Sequence, residues 1–428
     1  MANAYENMTA VELDREIESL ERQADEIRAQ HLALDMARGK PSDEQTALAR
    51  PMLDVLTSST PLEDGGAFVD NYGTPEGLPS ARRLAGEMLG VSADNVVVSG
   101  SSSLNLMHDL VTHGFTNGVA GNKPWCQQGE VKWLCPAPGY DRHFAVTEHL
   151  GIKNIPVAMC EDGPDMDMVQ HMVESDPAVK GIWCVPKYAN PTGITYSDEV
   201  VRRFASLRPA APDFRIYWDN AYCVHGFGEH DDVLLNIFDA IAEAGNDNLA
   251  YEFASTAKIT FPSSGMAFVA ASDADIAEIR AAFAVERVSA EKLSQLAHAL
   301  YLKDLAGVHA HMAKHAAVVA PRFALVEEKL SSGLGELGIA TWTHPHGGYF
   351  VSFDGPEGSA KAIVSLMGDL GVKLTPAGAT WPYGKDPRDT NIRIAPTYPS
   401  LGELGRALDV FVVATKLVSA RIARGRAA

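Results

Sequence analysis

Between about residues 95 and 272, short apolar runs alternate with amphipathic stretches, and this pattern limits the fold more than any other feature of the chain. The runs are Asn95–Val98, Val131–Cys135, Gly181–Pro186, Arg215–Trp218, Asn248–Phe253 and Met266–Ala270. A run apolar on both faces suits a strand that is covered on both sides, and the helical spacing between runs supplies the cover. The expectation is an α/β fold with a mainly parallel sheet flanked by helices. Ligands in such sheets collect at the carboxyl ends of the strands.

The flanks read differently. Thr9 to about Gln30 has helical spacing, with Thr9 as N-cap and Glu12 three residues on. Leu34–Ser42 contains Gly39 and Pro41 and reads as an extended crossing segment. Beyond Asp273 the pattern turns helical, with a long stretch from Leu305 to Leu337 interrupted at Pro321. Thr341–Phe353, Val372–Pro376 and Asn391–Ala395 read as strands and Ser400–Ala420 as a closing helix, together a small α+β unit. A chain of 428 residues favours two domains. The expected division is a large domain over residues 61–316, and a small domain over 317–428 to which the segment 1–60 contributes.

Lys and Arg number 36 against 55 Asp and Glu, a net charge of -19, which repels nucleic-acid backbones and anionic lipid surfaces. Neither nucleic acid nor membrane is an expected partner. An anionic ligand must then be held by local donors, such as a helix N-terminus or a single arginine. Five cysteines form no C-x-x-C pair, no metal is expected, and the odd count suits reduced thiols. The N-terminus lacks a basic, then apolar, leader and no run is long enough to span a membrane, so the expected location is cytoplasmic.

Four polar residues, Asn190, Asp219, Tyr222 and Lys258, fall at or just beyond strand ends. Singly each has an ordinary reading: Asn190-Pro191-Thr192-Gly193 as a turn, Asp219 as a helix cap, Lys258 as a solvated charge. Gly100-Ser101-Ser102-Ser103 follows a strand and opens an apolar-periodic helix, an anion site by geometry, although serine-rich helix starts are also ordinary caps. Taken in order with Asn71–Gly77, Pro138-Gly139-Tyr140, Ser255-Thr256-Ala257-Lys258, Pro345–Phe350 and Asn391–Ala395, they resemble the fold-type I pyridoxal-phosphate enzymes of the class I/II aminotransferase family. The resemblance covers nearly the whole chain.

That resemblance implies pyridoxal 5′-phosphate as cofactor and assigns roles. Lys258 matches the lysine that carries the cofactor as a Schiff base and then shuttles a proton between substrate Cα and the C4′ carbon. Asp219 matches the carboxylate that keeps the pyridine nitrogen protonated, and His143 the histidine that orients it. Asn190 and Tyr222 match the pair on the phenolate oxygen, and Tyr140 the ring that stacks on the cofactor. Ser101, Ser102 and Ser255 match phosphate contacts, as does Tyr72, which in this family reaches across from a second subunit. Arg393 matches the grip on the substrate α-carboxylate, with the Gly39 backbone passing beside it.

One departure stands out. Relatives usually place a phosphate-binding arginine eight residues after the lysine, and this chain has Met266 there. Ser263 and Ser264 are neutral donors nearby, and the expectation is that the phosphate leans on helix N–H groups. The Leu34–Ser42 and Cys135–Phe144 blocks, with that missing arginine, resemble a bacterial subgroup of aspartate aminotransferases. This implies L-aspartate and 2-oxoglutarate, a ping-pong mechanism and a homodimer. A distal carboxylate asks for a second cation: Arg287 and Lys292 of the neighbouring subunit are candidates, against the ordinary reading of solvated helix charges, and Arg142 is a third. An alanine or aromatic aminotransferase, or a carbon-sulfur lyase, would use the same core residues. A non-catalytic effector module is opposed by the charge and by the roughly 30 residues before Arg38, too few for a winged helix. A nicotinamide dehydrogenase is opposed by the lack of G-x-G-x-x-G after an early strand.

Overall fold

The computed structural model describes residues 3–228 and 230–426. Seven strands form the central sheet: β1 (Val96–Val98), β2 (Lys132–Ala137), β3 (Lys153–Ala158), β4 (Val179–Cys184), β5 (Arg215–Asp219), β6 (Ala250–Ser255) and β7 (Ala267–Ala270). Their order is β1-β7-β6-β5-β4-β2-β3, parallel except for β7, which runs antiparallel to both its neighbours. Alternate residues enter opposite cores. Trp133, Trp183 and Tyr217 face one side, while Leu134, Ile182 and Trp218 face the other. Both faces are covered, which is why six of these strands read as continuous apolar runs.

A second core gathers the N-terminal helix α1 (Ala10–Arg28) and the C-terminal part of the chain. Thr9 and Glu12 form the expected reciprocal cap on α1. A three-stranded antiparallel sheet, β8 (Thr341–Trp342), β9 (Val351–Asp354) and β10 (Asn391–Ile394), packs here against the long C-terminal helix Leu401–Arg426. Leu34 and Asp35 of the crossing segment pair in parallel with Val372 and Lys373, which ties the front of the chain to its end.

Two expectations need correction. The stretch Leu305–Leu334 is one continuous helix that passes through Pro321. The proline removes one amide donor, and Arg322 folds a guanidinium N–H back onto the Val318 carbonyl while buried Val319, Phe323, Val326 and Leu330 hold the helix in the core. The segment Thr341–Phe353 is two strands, separated by a turn through His346, Gly347 and Gly348 that packs on Tyr188.

Candidate active site

The carboxyl ends of β4, β5 and β6 converge on one place. Asp219 closes β5 and is 3% exposed; its Oδ2 lies 3.0 Å from His143 Nε2. His143 sits on the helix Asp141–His149 and stacks on Trp183 of β4, centroids 4.6 Å apart and planes 16° apart. Sheet and helix thus clamp the imidazole in one orientation, and through it the carboxylate. Ser103 makes a longer contact with Asp219 Oδ1, at 3.4 Å.

Lys258 ends a short turn that leaves β6, with its amine 4.8 Å from the centre of the Tyr222 ring. Burial lowers the pKa of the amine, opposed only by the negative charge of Asp219. A less basic amine is what a nucleophile and proton carrier require near neutral pH. Burial raises the Tyr222 pKa well above that of a free phenol, helped by the nearby Tyr140 and Asp219. Tyr140 itself is pushed up to about 12, again by burial first and Asp219 next.

Gly100, with φ of 75°, turns the chain out of β1, and Ser102 then caps the helix Ser103–Thr116 without a side-chain cap bond. The first N–H groups of that helix are therefore donors for an anion. Gly265 brings the returning loop against this cup: a Cβ there would stand 2.8 Å from the Ser101 carbonyl oxygen and from the Ala257 backbone. Ser255 is 8% exposed at the end of β6. Met266 is buried in the apolar core, and Ser263 and Ser264 are exposed, so the position of the usual arginine is filled by packing. The donor set fits pyridoxal 5′-phosphate: a dry carboxylate for the ring nitrogen, a weakened amine, a phenol and an amide, and a phosphate cup whose donors are neutral hydroxyl and N–H groups.

Arg393 lies on β10, 8% exposed, with its guanidinium 4.9 Å from the Phe350 ring centre. Its Nη1 donates to Asn190 Oδ1 at 3.2 Å and its Nη2 to Thr375 Oγ1 at 3.2 Å. Gly39 backs onto the same group, because a Cβ there would fall 2.0 Å from Phe350 Cζ. The glycine is thus required by the ring beneath the arginine, a reason the sequence did not reveal.

Arg287 and Lys292, the expected cations for a neighbouring subunit's site, are both held by contacts within their own chain. Arg287 pairs with Asp109 at 3.0 Å and with Glu286, and also donates to Ser99. Lys292 is 3% exposed and donates to the backbone carbonyls of Phe68 and Asn71. Both are used to fix loops. Arg142 is exposed and has no ion pair or side-chain hydrogen bond among the described residues. Tyr72 is 79% exposed on the outer surface, above a depression that includes Ser289 and Leu293.

Several residues around the site went unread in the sequence. Tyr349 donates to the Lys258 carbonyl at 3.3 Å and accepts from Gln45 at 2.9 Å. The helix Lys292–Leu302, with the preceding Glu291, aligns Glu291, Ser294, Gln295 and His298 on the loops of the cup and the lysine, bonding Gly100, Ser264, Val98 and Thr256. Their i, i+3, i+4, i+7 spacing is a visible signal, since it puts four polar residues on one helical face of which Gln295 and His298 are buried and need partners.

Fold and site together define a fold-type I pyridoxal-phosphate aminotransferase. Residues 8–427 match the family model described as aspartate amino-transferase, and the chain belongs to that family. It is 46% identical over 387 residues to a putative aminotransferase of Mycolicibacterium smegmatis, covering 90% of each chain. It is 40% identical over 404 residues to an aspartate aminotransferase of Corynebacterium glutamicum, covering 94% of this chain and 93% of that one. Among solved structures, an aspartate transaminase from Corynebacterium glutamicum superposes with a TM-score of 0.96 at 38% identity, covering 99% of this chain and 100% of the other. A putative aminotransferase from Corynebacterium diphtheriae gives 0.91 at 43% identity, covering 95% and 99%. The enzyme's cofactor is pyridoxal 5′-phosphate and its substrates are an amino acid and an oxo acid.

Proposed function

We propose that the enzyme moves the amino group of L-aspartate to 2-oxoglutarate in two half-reactions, releasing oxaloacetate before L-glutamate is formed. The observation that carries this reading is the buried Asp219–His143 pair at 3.0 Å, opposite an amine of lowered basicity on the next strand. The 40% identity to an aspartate aminotransferase supports the choice of donor.

Bound at this site, pyridoxal 5′-phosphate supplies an electron sink conjugated to the substrate Cα. Asp219 holds the proton on the ring nitrogen, and His143 fixes the carboxylate. Lys258 would hold the cofactor through its amine and, with that amine free, would carry a proton between the substrate Cα and C4′. Tyr222 and Asn190 would donate to the cofactor's phenolate oxygen, and Tyr140 would cover its ring. Ser101, Ser102, Ser255 and the free helix N–H groups hold the phosphate. Arg393 grips the α-carboxylate beside the Gly39 backbone. With Arg287 and Lys292 committed elsewhere, Arg142, next in sequence to the residues that line the site, is the cation for the distal carboxylate.

A second copy of the chain completes each site. Phe68, Tyr72, Val288 and Leu293 are 64%, 79%, 67% and 53% exposed, an apolar group that suits a subunit contact and would deliver Tyr72 to the partner's phosphate. Residues 1–60 and 317–428 act as the body that closes over substrate and excludes water. No helix among the described residues is long and apolar enough to cross a membrane, and the cytoplasm suits the free thiols.

The test is the visible absorption of the purified holoenzyme. Aspartate alone is expected to convert the lysine-bound band to that of the amine form, and 2-oxoglutarate to restore it. No change with aspartate but conversion by alanine or an aromatic amino acid would overturn the substrate assignment. Arg142→Ala is expected to raise KM for both dicarboxylates selectively, and sedimentation to give a dimer.

A further inference from the structure

The guanidinium of Arg393 already has an acid on it. Nη1, which also serves Asn190, lies 3.0 Å from Oδ1 of Asp141. With Nη2 on Thr375, three of its N–H groups are engaged, while Nε is buried without a partner. Arg393 belongs to the three-stranded sheet, whereas Asp141 opens the helix that carries His143 beside the central sheet. The ion pair therefore bridges the two layers that enclose the substrate.

A substrate carboxylate binds a guanidinium best through two parallel hydrogen bonds, and a second carboxylate at that distance repels the first. Asp141 and the substrate α-carboxylate cannot share the fork on equal terms. The displaced side chain has another place to go: Asp141 is the first residue of its helix, where free N–H groups and the helix dipole favour a negative charge. Either way the buried arginine keeps a counter-ion.

We propose that Asp141 stands in for the substrate α-carboxylate in the free enzyme and is displaced on binding, so that it sets the affinity for every carboxylate the site accepts. Asp141 is a positioning residue that acts through Arg393. The inference rests on the reading of Arg393 as the α-carboxylate grip. Its effect is to weaken substrate and product alike, which speeds release between half-reactions.

The test uses holoenzyme with Asp141→Asn and Asp141→Ala. The dissociation constant of maleate, a dicarboxylate with no amine to transfer, is read from the cofactor absorption, and KM and kcat are measured for aspartate. Both variants are expected to bind maleate roughly tenfold more tightly, and to lower KM while kcat stays level or falls. Unchanged or weaker maleate binding in either variant, with cofactor content normal, overturns the proposal. Arg393→Ala separates the two ideas. If it binds maleate normally, the grip itself is misassigned; if it loses maleate while the Asp141 variants do not tighten, only the role of Asp141 falls. Should one variant lose cofactor or fail to fold, the other decides.

Discussion

Nε2 of His298 lies 2.8 Å from the hydroxyl oxygen of Thr256, two residues before Lys258, and 2.8 Å from that of Thr260. The Thr256 oxygen accepts the Met266 N–H at 2.8 Å, so its own proton goes to His298. The other ring nitrogen then donates to the Ser294 carbonyl at 2.7 Å. The ring is neutral, with a pKa pushed down to about 4 by burial. His298→Ala is expected to cost about 1–3 kcal/mol of stability and to lower kcat roughly tenfold by loosening the lysine turn, with KM little changed. His298→Asn should recover part of both. Normal kcat in the alanine variant would separate the turn from this histidine.

The same burial creates a pH dependence. His298 and His315 both have folded pKa values of about 4, against 6.5 for a free imidazole. Between those values the unfolded chain binds protons that the folded one refuses, so stability is full above pH 6.5 and is lost as pH falls towards 4. Each group removes at most about 1.4 kcal/mol per pH unit across that window. Urea midpoints at pH 7.5 and 5.0 check this, and His298→Asn should flatten the slope. An unchanged midpoint would argue against neutral burial.

Replacing Lys258 by Ala should leave cofactor bound without a covalent link and turnover negligible. Asp219→Ala should retain some cofactor and lose most activity, because the ring nitrogen then lacks its carboxylate. His143→Asn should cost less, about tenfold to a hundredfold, since it acts through Asp219. Single-turnover absorbance records with aspartate measure all three; near-normal rates in Asp219→Ala would remove the ring-nitrogen argument.

Gly39→Ala pushes a methyl group towards Phe350, the ring beneath Arg393. The expected outcome is a KM raised at least several-fold for all amino acids alike, with kcat affected less. Selective loss of dicarboxylates would point to the distal end of the site instead.

A purely structural control lies far from the chemistry. Arg215 and Asp275 form a buried bidentate pair at 2.9 and 2.8 Å, each about 2% exposed. Asp275→Asn leaves a buried cation short of its partner and should cost about 3–5 kcal/mol. Activity per folded molecule should stay unchanged, as denaturant melts and active-site titration would record.

The central sheet was legible because β1, β2, β4, β5, β6 and β7 are apolar on both faces. β3 was not, since Lys153-Asn154-Ile155-Pro156-Val157-Ala158 lies at the sheet edge, buries only Asn154 and Val157 and contains a proline. The cofactor side of the site was also readable, because Asp219, Tyr222 and Lys258 follow strand ends within the local sequence. The substrate side was less so. Arg287 and Lys292 show their charge in the sequence but not that backbone carbonyls and Asp109 already use it, and Asp141 gives no sign of Arg393, 252 residues away. Long-range pairing is invisible to periodicity.

β6 and β7 form an antiparallel hairpin in which Ala267 stands opposite Ser255, and β7 in turn borders β1, which opens into the Gly100 turn. The amine and the anion cradle therefore hang from one ribbon, whose tip is the Thr260–Met266 loop. Lengthening or shortening that tip by a single residue would shift both ends of the cofactor together. Insertions that the outer helices could absorb would here unseat the prosthetic group.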